Sequence, residues 1–211
     1  MGQELIQFES ISVSYSGKKV LEDFNLSVFE GEKILLKGKS GCGKSTLFSY
    51  LMGYSKPDSG NVFFNGKPLS PLIVGNVRTN ISYVPQNADV AEGNIRDFIN
   101  NIFSFSSVSV SADEQSVSDI LSEFSLDNSV LDKDFSDLSG GEKQRLLLAV
   151  SILLDRNVFL LDEPTSSLDS DMKEKVAEYF TKNPSSTLLI VSHDPQWEKI
   201  VDRVVEVGNK V

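Results

Sequence analysis

The chain has 211 residues, enough for one α/β domain with a sizeable core, or for one domain carrying an inserted subdomain. Its formal net charge of −10 argues against a broad basic surface for nucleic acid, though not against a small basic site for a phosphate ligand. One cysteine, Cys42, cannot form an internal disulfide; the amino terminus lacks the order of a signal peptide; and the longest apolar run, Leu146 to Leu154, falls well short of the roughly 20 residues of a membrane helix.

Leu5 to Tyr15 is rich in strand-forming residues and reads as a strand, followed by a turn at Ser16-Gly17. Val20 to Phe29 reads as another strand pair, with a turn at Glu30-Gly31. Lys33 to Leu36 is a short apolar strand running into a glycine-rich loop, and Thr46 to Met52 has helical character ending at Gly53. Pro57 to Gly60 is a turn, Asn61 to Phe64 with Asn65-Gly66 reads as half of a hairpin, and Ile81 to Val84 is a strand.

From Asn87 to Asp137 serine becomes abundant, and Ile95 to Phe103 and Glu114 to Phe124 have helical spacing, which predicts a small helical insertion. The run from Ser104 to Ser111 interleaves Phe and Val with serine, and is expected to be a loop that packs on something. A long helix (Gly141 to Leu154), a buried strand (Val158 to Leu161), a helix (Asp171 to Phe180), a strand (Thr187 to Val191), a short helix near Pro195 and a last strand (Val204 to Val207) follow. Alternating strands and helices of this length predict a mostly parallel sheet covered on both faces.

Gly38-Lys39-Ser40-Gly41-Cys42-Gly43-Lys44-Ser45-Thr46 fits the phosphate-loop pattern and sits between a strand and a helix. Glycines let backbone N–H groups turn inward around phosphate oxygens, and the helix that follows adds the positive end of its dipole. Lys44 is expected to reach the β- and γ-phosphates and Ser45 to hold Mg²⁺. For Cys42 the expected contribution is its backbone N–H; a lowered thiol pKa at the helix start is the alternative.

The apolar strand from Val158 to Leu161 ends in Asp162 and Glu163, at the strand edge where ligands sit in open α/β sheets. Asp162 is the candidate Mg²⁺ partner, and Glu163 the candidate base for the attacking water. Taken alone the pair could be a solvated turn before Pro164. His193, the single histidine, follows another apolar strand; alone it reads as an ordinary core or surface residue, and in combination with Glu163 it becomes a candidate contact for the γ-phosphate and the attacking water.

Leu138-Ser139-Gly140-Gly141-Glu142-Lys143-Gln144-Arg145 resembles the signature motif of ABC ATPases, and the other motifs fall in that family's order over essentially the whole chain. Tyr15 resembles the aromatic residue that stacks on adenine, Gly38 to Thr46 the Walker A loop, and Gln86 the Q-loop glutamine, a further Mg²⁺ ligand. Asp162-Glu163 resembles Walker B with its catalytic glutamate, Asp169 the D-loop aspartate, and His193 the switch histidine. The resemblance implies an α/β fold: a P-loop NTPase core of mostly parallel sheet, an N-terminal antiparallel β subdomain and an inserted helical subdomain. It divides the single domain 1–211 into a nucleotide-binding core (1–86 and 152–211) and a helical subdomain with the signature (87–151).

It further implies ATP hydrolysis with Mg²⁺ in a head-to-tail pair, where Ser139, Gly140 and Gly141 bind the ATP of the opposite subunit. They suit an anion, as a second glycine-rich helix start, and Ser139 with Glu142 also reads as a helix-capping box. The implied partners are a second ATP-binding domain and a transmembrane subunit or domain at the cytoplasmic face of the membrane; no nucleic acid is expected. Ile81 to Asn100 resembles the exporter Q-loop region, whereas Asp132 to Asp137 departs from the exporter pattern. Phe98, Phe103 and Phe105 either line the family's groove for a membrane subunit or form the subdomain's own core. The alternative reading is a non-transport ABC ATPase of translation or DNA repair, but those usually carry two tandem ATPase domains or a long coiled-coil insertion. A phosphoryl-transfer kinase has no use for Ser139-Gly140-Gly141.

Overall fold

The computed structural model of the chain describes residues 2–15, 17–105, 108, 113–182 and 184–208. Ser16 of the expected first turn, and residues 106, 107 and 109–111 of the serine-rich run, lie outside them.

Five strands, β3 (Lys33–Lys37), β6 (Ile81–Val84), β7 (Val158–Asp162), β8 (Thr187–Val191) and β9 (Arg203–Glu206), form one parallel sheet in the order β6-β7-β8-β3-β9. Every residue of β7 and β8 is buried, as a sheet covered on both faces requires. Side chains alternate between two cores with the period of two that a strand imposes. Leu35, Phe159, Leu161, Leu188 and Ile190 pack on one face. Ile34, Leu36, Val158, Leu160, Leu189 and Val191 pack on the other.

The first face is covered by helices α3 (Ile95–Ser104), α4 (Glu114–Glu123), α5 (Gly140–Leu153), α6 (Ser170–Thr181) and the short α7 (Pro195–Glu198). Phe180 packs edge-on against Phe159 and lies 6.0 Å from Trp197, which is fully buried. Burying an aromatic side chain of this kind stabilises the fold by roughly 2–3 kcal/mol. The second face is covered by α1 (Lys44–Leu51), by Val77 of α2 (Pro71–Asn80), and by an antiparallel sheet. That sheet joins β1 (Glu4–Tyr15), β2 (Lys18–Phe29), β4 (Ser59–Phe64) and β5 (Lys67–Pro68) in the order β2-β1-β4-β5.

Two details depart from the sequence reading. Lys18–Phe29 is one strand, not a pair; it follows β1 along its length, with several shifts in register. α2 was not anticipated: Val77 is its one fully buried residue, Ile73 one turn before it is only partly buried, and Leu72 in the same apolar run is 91% exposed. Its start signal, Pro71 in the first turn after Ser70, is the ordinary one. Asn65 and Gly66 both have positive φ and connect β4 to β5, the conformation this dipeptide favours in a tight hairpin.

Candidate functional site

Because the five central strands are parallel, the segments leaving β3, β6, β7 and β8 emerge along one edge of the sheet, where α/β proteins bind ligands. These segments carry the phosphate loop, Gln86, Asp162-Glu163 and His193, respectively.

Glycine is obligatory at two points of the loop. Gly38 has φ +147°, and a Cβ there would stand 2.2 Å from the carbonyl oxygen of Val207 and 2.7 Å from Cys42 Sγ. Gly43, φ +100°, opens α1 with the side chain of Leu21 2.9 Å from where a Cβ would be. Lys39, Ser40 and Gly41 are exposed, and Cys42 and Thr46 are half-buried. Lys44 is buried and turns back across the loop, its Nζ donating to the carbonyls of Gly38 (2.7 Å) and Lys39 (3.1 Å).

Ser45 Oγ donates to Asp162 Oδ1 at 3.0 Å. Asp162 is buried at the end of β7, and that burial raises its carboxyl above the ordinary range; the Ser45 hydrogen bond opposes the shift, Glu163 adds to it and Lys44 reduces it. Glu163 adopts φ +48°, unusual for a residue with a side chain. Its N–H donates to Val191 of β8 at 2.7 Å, and its Oε1 lies 3.6 Å from His193 Nε2. Lys44, Ser45, Asp162, Glu163 and His193 are thus linked residue to residue.

The other expected residues stand around this group. Gln86 is exposed just after β6. Tyr15 is 55% exposed at the end of β1, on the hairpin whose Leu21 packs against Gly43. It adjoins Tyr50, whose hydroxyl is pushed up to about 12 by burial first, then by Tyr15 and Asp58. Asp169 is exposed and caps α6 by accepting from the Met172 N–H at 2.9 Å.

Ser139, Gly140 and Gly141 form the start of α5, closed by a capping box. The Ser139 N–H (2.9 Å) and hydroxyl (2.7 Å) donate to Glu142 Oε2, while the Glu142 N–H donates to Ser139 Oγ at 3.3 Å. The Ser139 donors hold the Glu142 carboxyl below the usual range. Among the described residues no hydrogen bond or ion pair joins Ser139–Gly141 to the phosphate loop. Of the three phenylalanines, Phe98 packs edge-on against Phe135 in the helical layer, Phe103 is partly buried there, and Phe105 is 63% exposed.

Two supporting residues escaped the sequence reading. Buried Gln144 of α5 bonds to the Glu163 and Ser167 backbones. Asp194, next to His193, accepts from the Thr165 hydroxyl and pairs with Lys173 at 2.7 Å, tying the histidine segment to the turn after β7 and to α6. Gln144 lies within the signature run and Asp194 beside the lone histidine, but nothing in their spacing announces the groups they meet.

A phosphate loop paired with a buried strand-end carboxylate at the edge of a parallel sheet defines a P-loop nucleoside triphosphatase. Residues 21–166 match the ABC transporter family, and the chain belongs to it. It is an ATP-binding, ATP-hydrolysing component of an ABC transporter.

It is 33% identical to the probable iron export ATP-binding protein FetA of Escherichia coli (strain K12), over 95% of this chain and 90% of that one. It is 31% identical to the spermidine/putrescine import ATP-binding protein PotA of Mesoplasma florum, over 97% of this chain but 59% of that protein. A dimeric post-hydrolysis structure of the ATP-binding cassette MJ0796, bound to ADP and Pi, superposes with a TM-score of 0.84 at 22% identity, covering 97% of this chain and 94% of that one. Identity to an export and to an import protein is nearly equal, so the exporter-like reading of Ile81 to Asn100 stays an expectation. No helix among the described residues is long and apolar enough to cross a membrane.

Proposed function

We propose that the chain hydrolyses ATP in a composite site shared with a second ATP-binding domain, and passes the movement to a membrane-spanning partner at the cytoplasmic face of the membrane. The observation that carries this reading is the convergence of Lys44, Ser45, Asp162, Glu163 and His193 on one sheet edge. Within it, 1–86 and 152–211 act as the nucleotide-binding core and 87–151 as the helical subdomain that presents the signature.

Tyr15 stacks on adenine, and the backbone N–H groups from Gly38 to Thr46 cradle the phosphates. Lys44 exchanges the carbonyls of Gly38 and Lys39 for β- and γ-phosphate oxygens. Ser45, Asp162 and Gln86 are hard oxygen donors suited to Mg²⁺, and a cation beside Asp162 would offset the cost of burying its charge. Bound there, Mg²⁺ would neutralise charge on the phosphate oxygens. Glu163 takes a proton from the attacking water, whose oxygen bonds to the γ-phosphorus as the bridging oxygen leaves with ADP; His193 steadies the γ-phosphate. Ser139, Gly140 and Gly141 serve the ATP of the opposite subunit, and Asp169 lies at the junction between the two.

The test is Glu163→Gln, which keeps size and removes the base. ATP binding should persist while turnover falls on the order of 10²–10⁴-fold, leaving an ATP-bound dimer detectable by size-exclusion chromatography. Turnover close to wild type would sink the assignment. Co-purification of a membrane-spanning protein with the chain tests the transport half.

A further inference from the structure

The turn that aims Glu163 is held by a residue of a different element. Gln144 is 1% exposed and uses both ends of its carboxamide. Its Nε2 donates to the Glu163 carbonyl at 2.8 Å, and its Oε1 accepts the Ser167 N–H at 2.9 Å. The carbonyl it grips belongs to a residue at φ +48°, in the left-handed region that a side chain disfavours unless its surroundings enforce it. Two further bonds enforce it: Glu163 N–H to Val191 (2.7 Å) and Ser166 N–H to the Glu163 carbonyl (3.2 Å). The first ties the turn to β8 and the second is internal to the turn, so Gln144 is the side chain that braces it from the helical layer.

The same face of α5 carries the signature. Gly140 and Gly141 precede Gln144 by four and three positions, so all three line one side of the helix. A Cβ at Gly141 would stand 3.1 Å from the Ser167 carbonyl oxygen, and one at Gly140 3.9 Å from Ser167 Oγ. Glycines bring the start of α5 onto the 163–168 segment, and Gln144 bolts it there.

We infer that Gln144 is a positioning residue for hydrolysis: it holds Glu163 in its left-handed conformation and makes the signature helix and the Glu163 carboxylate one unit. This rests on the reading that Glu163 acts on the attacking water. A misplacement of about 1 Å at a reacting group can lower a rate on the order of 10²-fold without changing what binds. Loss of Gln144 should therefore show in kcat and not in ATP affinity.

The experiment measures ATP turnover and fluorescent-ATP binding by the full chain in four forms: wild type, Gln144→Leu, Glu163→Gln and the double variant. Gln144→Leu should lower kcat on the order of 10–100-fold with KM and ATP affinity within about twofold of wild type. The double variant should be no slower than Glu163→Gln alone, since a positioning residue has nothing left to position. Gln144→Glu covers the case in which Gln144→Leu does not fold: it keeps the acceptor for Ser167, sets a carboxylate oxygen against the Glu163 carbonyl, and should show the same split. A wild-type kcat in the folded variants, or a loss confined to ATP affinity, or a double variant slower by the full product of the two single losses, overturns the inference. A wild-type turnover for Glu163→Gln instead overturns the reading beneath it, whatever Gln144 does.

Discussion

Ser45 and Asp162 stand 117 positions apart in the chain, and the hydroxyl of one donates to the carboxylate of the other at 3.0 Å. The bond joins the start of α1 to the end of β7, where Asp162 is buried and its carboxylate charge is costly. A folded-state pKa raised above the unfolded value means stability is fully present at low pH and is lost as pH rises through the folded pKa. Asp162→Asn keeps an acceptor for Ser45 and removes the charge. Its melting temperature without nucleotide should exceed wild type at pH 7, and the gain should vanish in acid where the wild-type carboxyl is protonated. ATP turnover should fall on the order of 100-fold or more. Thermal melts across pH, beside a phosphate-release assay, check both halves.

Among the described residues no hydrogen bond or ion pair joins the signature at the start of α5 to its own phosphate loop, which suits action on a second copy. A chain with Lys44→Ala keeps a sound signature, and one with Ser139→Ala keeps a sound phosphate loop. Each alone should lose at least about tenfold in turnover. An equal mixture should recover about a quarter of wild-type turnover, because half of the random dimers hold one intact composite site. Steady-state assays of the mixture decide it; no recovery would argue for action within one chain. Ser139→Ala should also cost about 1 kcal/mol of stability through its lost helix cap.

Two tyrosines tie stability to alkaline pH. Tyr50 is pushed up to about 12 by burial, Tyr15 and Asp58, and Tyr83 to about 12 by burial, Asp162 and Tyr54. Both are raised above the unfolded value of 10.0, so their contribution is intact below pH 10 and is lost as pH climbs through about 12. Urea midpoints should fall steeply between pH 10 and pH 12 in the wild type, and less steeply in Tyr50→Phe and Tyr83→Phe.

Glycine-to-alanine changes should separate by position. Gly38→Ala places a methyl 2.2 Å from the Val207 carbonyl oxygen at φ +147°, so the loop must shift. ATP affinity should drop at least about tenfold, with stability lower by about 1–3 kcal/mol. Gly75→Ala, inside α2 with nothing within 4 Å, should instead stabilise the chain by about 0.5–1 kcal/mol. Fluorescent-ATP titration and denaturant melts test the pair.

Much of this site was legible because its groups announce themselves locally. The phosphate loop needs glycines at fixed spacing, β7 needs an unbroken apolar run, and Asp162 follows from where that run stops. α2 was hard to read because its apolar residues run consecutively from Leu72 to Val74 before Val77, and Val77 is the one fully buried among them. Gln144 and Asp194 were illegible for another reason. Their partners, the Glu163 carbonyl and the Thr165 hydroxyl, are 19 and 29 positions away, and a backbone carbonyl leaves no mark in a sequence. The long strand β2 was read as a pair, because its continuity comes from the ladder with β1, which pairs residues far apart in the chain.

α5 is buried on all sides over its last two turns, from Leu146 to Leu153 save Ile152, while Ser139 and Gly140 at its first turn are exposed. A rod anchored this way has almost no compliance of its own: its exposed tip cannot travel while its root stays still. Its root shares one packed core with the sheet strands and the other helices, so a displacement at the tip would strain that whole layer rather than α5 alone.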